Sequence, residues 1–441
     1  MIDSIFRYLG LVEYFLWDYV VFIFLSISGL YLTFYSKGFQ FYALRNFTHN
    51  FKKSRHKSEE TDIQGINPLK LYITSVGGMV GVGNIINVST AICIGGLGSI
   101  FWMWITAFFG MLIKYSEIYL GIKYRVLNSK RHYDGGPMFF IPAAFDGIIG
   151  KFLASFSAVL LCIYSIEVYQ FSTLVQTLQK TFAIDKTIII LFLLLIVLYV
   201  GIGGVNRLAT MCSRFIPIFV FLYIFICLYI IVANIGSLPS VILDIFKSAF
   251  VGQAPIGGFV GSSMMLAGYY GVRTAVYSGD IGIGYESVIQ SETNAHKRKV
   301  QAQMAIYALL TDSFLCTLTA FAVAASGAWC QNVLDSKEVM QNLMYDYLPH
   351  SNFLVISFLF LAIYTTITAY FTAGVKTSRF LSKKWGNYIF FTTAVILFSI
   401  FSYLPTERAL TIMMISGGLL VLINVTAILK LRHQIDFNQD D

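Results

Sequence analysis

The chain has 441 residues, of which 57% are hydrophobic and 12% charged, with a mean hydropathy of +0.70. Soluble domains carry about 25% charged residues, so a soluble globular fold is excluded. The net charge of +8 falls in short clusters between apolar runs of membrane-crossing length, which argues for a polytopic helical membrane protein and against a nucleic-acid partner.

No cleavable signal peptide is expected, because Asp3, Arg7 and Glu13 precede a full-length apolar run that begins after Trp17. Eleven membrane spans are predicted, at 16–36, 69–94, 98–123, 152–181, 187–204, 212–234, 258–292, 300–327, 352–381, 387–404 and 406–430. Segment 240–250, with Asp244 and Lys247 among apolar residues, reads as an interfacial helix. Of the 31 basic residues, 22 fall in segments 37–57, 123–151, 207–214, 297–299, 376–384 and 430–432. These segments alternate with poor ones. The positive-inside rule then puts the N-terminus outside and the C-terminus in the cytoplasm of a plasma (inner) membrane. The six cysteines have no metal or CxxC spacing, and neither a disulfide framework nor a zinc site is expected.

Two apolar stretches, 71–94 and 258–285, are interrupted at depth by glycine and polar residues: Val80-Gly81-Val82-Gly83-Asn84 and Ser278-Gly279-Asp280-Ile281-Gly282-Ile283-Gly284. Lipid gives backbone groups no partners, so such breaks survive only against protein, water or a ligand. A first helix ahead of ten, with breaks in the first and sixth of those ten, suggests five helices repeated in inverted topology. The predicted divisions are 1–68 (outside segment, extra helix and basic loop), 69–204 and 205–404 (the two repeats), and 405–441 (last helix and tail).

At Gly81–Asn84, glycine lets the backbone leave the helix; freed N–H groups suit a carboxylate and freed carbonyls a sodium ion. A small-residue packing face is the plainer reading of the same glycines. Asp280 could recognise a substrate amine or organise the break, and Arg273 could pair with it only if the chain folds back. Glu167 and Gln170, at i and i+3, share one face of the fourth predicted span. Glu167 reads as a proton carrier, as the counter-ion of an amine or cationic side chain, or as a buried acid bonded to Lys114 or a tyrosine. Gln170 can serve both an amine and a carboxylate. Asp312, in the eighth predicted span, fits either the site or a polar packing contact. There is no Walker motif, no catalytic pair of carboxylates and no Ser/His or Cys/His arrangement, and all six histidines fall in loops or tails, so no enzyme is expected.

Gly81-Val82-Gly83-Asn84-Ile85, the run from Gly95 to Trp104, Lys114-Tyr115-Ser116-Glu117, Lys123-Tyr124-Arg125, Gly135-Gly136-Pro137-Met138, Cys316–Ala320 and Ser326–Trp329 resemble the alanine or glycine:cation symporter family, also called sodium:alanine symporters. The resemblance covers roughly residues 20–425. It implies an all-α fold like that of leucine transporters, plus one extra N-terminal helix. It also implies sodium-driven uptake of alanine or glycine by alternating access. The implied sodium ligands are Val80, Gly81, Thr365 and Thr366, with Thr368 on the same helix. The implied substrate contacts are Gly81, Val82, Gly83, Asn84, Glu167, Gln170, Gly279, Asp280 and Tyr370. Lys114 and Glu117 read as a structural pair. The chain departs from the family pattern at Val82 (usually threonine), at Ser278–Gly284 (usually Ser-Asn-Glu-Ala-Gly-Met-Gly), at Glu167 (usually asparagine) and at Tyr370 (usually tryptophan). The implied partners are a small amino acid and the lipid bilayer, with the monomer as the working unit. No cofactor is expected besides the coupling ion, sodium. The alternative keeps the fold but couples to protons through Glu167, with a larger or cationic amino acid. A channel or sensor is the remote one.

Overall fold

The computed structural model describes residues 2–53, 65–128, 131–251, 260–295, 297–331, 338–348 and 352–439. His56, His296 and His350, read above as loop residues, lie outside them, as do residues 258 and 259 of the seventh predicted span. Among the described residues the only sheet is a two-stranded hairpin, Val126–Leu127 with Tyr133–Asp134. Everything else regular is helical.

Among the described residues, seven helices are long and apolar enough to cross a membrane: Ser4–Tyr35, Gly98–Lys123, Gly147–Phe182, Lys186–Ala233, Arg298–Ala325, Phe353–Leu381 and Thr406–Lys430. Pro68–Met79 and Gly83–Gly95, bent by 51°, qualify together as an eighth. The 48 residues of Lys186–Ala233 would reach about 72 Å as one rod, more than twice the hydrocarbon thickness. Gly204, at φ 67° and ψ −166°, breaks that rod in two. A left-handed φ of this kind costs glycine little. The chain is an integral membrane protein.

Two expectations need correction. Residues 2–15 are helical and run into the first span instead of preceding it as a separate segment. Their polar groups have partners deep in the fold: Glu13 pairs with Arg273 at 2.5 Å, and just beyond them Trp17 Nε1 donates to the Met414 carbonyl at 2.8 Å. Arg273 is thereby taken away from Asp280. The fourth span is not continuous either. Gly147–Tyr164 ends and Val168–Phe182 begins around Glu167, which has left-handed backbone (φ 52°, ψ 43°). The segment read as an interfacial helix is a 14-residue helix, Leu238–Val251, with Leu243 and Phe250 exposed on one face and Ile245 and Ala249 buried on the other, its backbone lying against Gly98.

The helix breaks sit at the centre of the packing. Gly110 lies against Ile281, and Gly271 against the Ser99 carbonyl, so Gly98–Lys123 and Val260–Gly279 approach at backbone distance. Behind Thr406–Lys430 the chain returns over the end of Gly98–Lys123. There Tyr115 Oη donates to the Asp436 carbonyl (2.5 Å) and Tyr124 Oη to Gln434 Oε1 (2.6 Å). The Phe437 ring packs 5.5 Å from Tyr115 and 5.8 Å from Phe39.

Candidate ion and substrate site at the helix breaks

Pro68–Met79 starts on an Asn67 cap, whose side chain accepts from Leu69 N–H at 2.9 Å, with proline in the first turn where its missing N–H is harmless. It ends when Val80 turns extended (φ −77°, ψ 101°). The freed carbonyls of Gly77 and Val80 both face the Thr366 hydroxyl, at 3.4 and 3.0 Å. Thr366 also bonds its own Ala362 carbonyl at 3.1 Å. Thr365 and Thr368, by contrast, direct their hydroxyls to carbonyls of their own helix. The structure therefore brings Thr366 to the break and leaves Thr365 bonded locally, as hydroxyls in membrane helices often are.

On the other side of the break, Gly81 N–H donates to Asn84 Oδ1 (3.0 Å) and Val82 N–H to Gln170 Oε1 (3.4 Å). These amides were predicted to take a carboxylate, and oxygens of the protein's own amide side chains meet them here. A Cβ on Gly81 would stand 2.6 Å from Gln170 Oε1 and 2.7 Å from Thr366 Oγ1, so only glycine admits both contacts. Gly83 lies over Ser278 of the second broken helix. Asp312 joins the two breaks: it accepts from Asn84 Nδ2 at 2.7 Å and from Ser278 Oγ at 3.0 Å. Asp312 thus lies between the two breaks.

The second break spans Val260–Gly279 and Tyr285–Gln290. Between them Asp280, Gly282 and Gly284 all have left-handed backbone, at φ 52°, 76° and 105°. The freed carbonyls have named partners. Asn424, from Thr406–Lys430, donates to Gly282 O (3.2 Å) and Ile283 O (2.7 Å). Lys114 donates to Gly279 O and pairs with the Glu286 carboxylate. Lys114 was expected to pair with Glu117, three residues along its own helix. Instead its three N–H groups go to Gly279, Glu286 and, at 3.4 Å, Met79 Sδ, and neither Glu117 oxygen has a hydrogen-bond partner. An i,i+3 pair contributes little, whereas a break carbonyl and a second buried carboxylate both demand a donor at depth.

Tyr370 donates to Asp280 Oδ1 at 3.0 Å and stacks on Tyr285, centroids 3.9 Å apart. Tyr164 lies 5.7 Å from the same ring. Asp280 and Glu167 interact electrostatically, and each keeps one oxygen without a hydrogen-bond partner. Because the helix breaks at Glu167, this residue and Gln170 are not one face of a continuous helix. Glu167 is the residue before the first turn of Val168–Phe182, and Gln170 lies within that turn, with its Nε2 donating to Tyr277 Oη at 3.4 Å. Glu286, Asn424, Tyr277 and Tyr285 escaped the sequence reading. Asn424 and Glu286, an amide and a carboxylate within predicted spans, are the two of these four whose type and depth could have flagged them.

Residues 2–439 match the sodium:alanine symporter family. The chain belongs to the sodium:alanine symporter family. An uncharacterized transporter of Haemophilus influenzae is 31% identical over 97% of this chain and 94% of its own length. The sodium/alanine symporter AgcS of Methanococcus maripaludis is 29% identical, covering 72% of this chain and 70% of its own. A probable sodium/glutamine symporter, GlnT of Bacillus subtilis, is 26% identical over 96% and 87%. As a member of the sodium:alanine symporters, the chain is a secondary transporter and not an enzyme, and sodium-coupled amino-acid symport holds for it at the level of the family.

Proposed function

We propose that this chain carries amino acids by sodium-coupled alternating access, with alanine and glycine the first substrates to test. The observation that carries the reading is the first break. Carbonyls of Gly77 and Val80 converge with the Thr366 hydroxyl, while amides of Gly81 and Val82 face side-chain oxygens across the bend. In this reading sodium binds Val80, Gly81 and Thr366, with Thr365 at the margin, and orders the break. The ordered amides of Gly81–Asn84 then take the substrate carboxylate in exchange for Gln170 Oε1. Gly279, Asp280 and Tyr370 line the amine side. Both ligands act by their differential affinity for the two states of the carrier.

The architecture proposed for this cycle has eleven spans: one extra N-terminal helix and two inverted five-helix repeats divided near residue 204, as in leucine transporters. The N-terminus is outside and the C-terminus cytoplasmic. The bundle holding both broken helices rocks against Gly147–Phe182 and Asn352–Leu381. Glu167, with an unpartnered buried oxygen, is the observation that keeps a second reading, proton coupling, in play. Uptake of labelled alanine into proteoliposomes decides: replacing sodium by choline abolishes it, while Glu167→Gln keeps its sodium dependence. Uptake that follows a pH gradient without sodium, and is lost in Glu167→Gln, refutes sodium coupling. Counterflow of labelled substrate separates a carrier from a channel or sensor.

A further inference from the structure

The amino-acid reading above accounts for one ammonium and one carboxylate on the substrate, and the site holds more negative charge than that. Glu167 and Asp280 are both buried, at 1% and 0% exposure. Each has one carboxylate oxygen, Oε2 of Glu167 and Oδ2 of Asp280, with no hydrogen-bond partner. Each also sits at a helix break with φ 52°, a conformation that non-glycine residues adopt at a cost. Two separate breaks thus hold an acid in the same region.

Among the described residues, Lys114 is the cation that acts on Asp280, and none acts on Glu167. The Lys114 ammonium is saturated by the Gly279 carbonyl, Glu286 and Met79 Sδ. Arg273 is engaged by Glu13 and Tyr269. Of the other carboxylates here, Asp312 has its oxygens met by Asn84 and Ser278, Glu286 is paired with Lys114, and Glu117, which Lys114 also attracts, lies on the side of Asp280. An α-ammonium satisfies one of the two acids, and Asp280, steadied by Tyr370, is the one that the amino-acid reading assigns to it. The other is left as a buried carboxylate without a counter-charge, which costs several kcal/mol. Around Glu167 the charged and polar neighbours include Asp280, Gln170, Tyr164, Tyr169, Tyr277, Tyr285 and Tyr370. Tyrosine rings and hydroxyls of this kind suit a cation.

We infer that Glu167 is a specificity residue that binds a second positive charge on the substrate, so that the preferred substrates are amino acids with a cationic side chain, of the lysine, ornithine and arginine class. The inference rests on the amino-acid reading but fails separately from it. The test uses full-length protein in proteoliposomes under a sodium gradient, with labelled lysine and labelled alanine. In the wild type, unlabelled ornithine and arginine should suppress lysine uptake at concentrations at least about tenfold below alanine. Glu167→Gln should raise the half-saturating lysine concentration about 10- to 100-fold, the loss of one charge-assisted contact, and lower the preference for lysine over alanine. Sodium-driven alanine uptake without lysine uptake overturns this inference and leaves the sodium-coupled reading standing. An unchanged lysine-to-alanine preference in Glu167→Gln overturns it too. If neither amino acid is taken up with sodium, both readings fall. Should the variant not fold, the wild-type competition series decides alone.

Discussion

Lys114 tests the energetics of the site most directly. It is buried, its ammonium bridges the Gly279 carbonyl and Glu286, and both charged side chains are about 1% exposed. Lys114→Met keeps the length and removes the charge, leaving Glu286 as an uncompensated buried carboxylate. Breaking such a pair costs about 3–5 kcal/mol. The Gly279 carbonyl also loses its donor, a buried orphan worth about 1–3 kcal/mol, in part contained in the first figure. Adding Glu286→Gln removes the stranded charge, and the Gln290 Nε2 contact to position 286, at 3.3 Å, has an amide oxygen to meet. The double variant should therefore recover roughly half of the loss, about 2 kcal/mol, and keep only the orphaned carbonyl. Chemical denaturation in detergent micelles, followed by tryptophan fluorescence, reads the three stabilities. A single variant as stable as the wild type, or a double variant no better than the single, refutes the bridging role.

Thr366→Val removes the hydroxyl facing Gly77 and Val80 while keeping side-chain shape. It should raise the half-saturating sodium concentration about 5- to 10-fold, and Thr365→Val should move it less than about twofold, in uptake measured against sodium. Equal effects of the two would assign the ion elsewhere. Gly78 lies directly under the Tyr285 hydroxyl, so Gly78→Ala should cost about 1–3 kcal/mol and abolish uptake. Tyr285→Phe added to it, which removes the obstructing oxygen but keeps the ring on Tyr370, should restore part of both. Asn424→Leu strands the Gly282 and Ile283 carbonyls and should lower stability by about 2–4 kcal/mol, seen as a lower denaturation midpoint.

The breaks at 80–84 and 278–284 were legible because their cause is local: glycines and polar residues where an apolar span should be continuous. The break at Ser165–Glu167 was not. It contains no glycine, and its left-handed residue is a glutamate held by tertiary surroundings. Thr366 could be placed on the right helix, but the threonine that turns toward the break instead of its own backbone is chosen by packing. The pairings of Arg273 with Glu13 and of Lys114 with Glu286 join segments 260 and 172 residues apart in the chain, and nothing in either neighbourhood announces the other. Helical spacing favoured Glu117 for Lys114, and a long-range demand for a donor overrode it. Val82 and Tyr370, two departures from the family pattern, lie at the first break and against Asp280.

The stretch that crosses beneath Tyr115 and Tyr124 has a practical consequence. Gln434, Asp436 and Phe437 are part of the packed interior edge and not a dangling appendage. Shortening the protein before Gln434 would unseat two tyrosines and uncover the Phe39 ring, so purification handles should follow residue 441 through a spacer long enough to leave that edge closed.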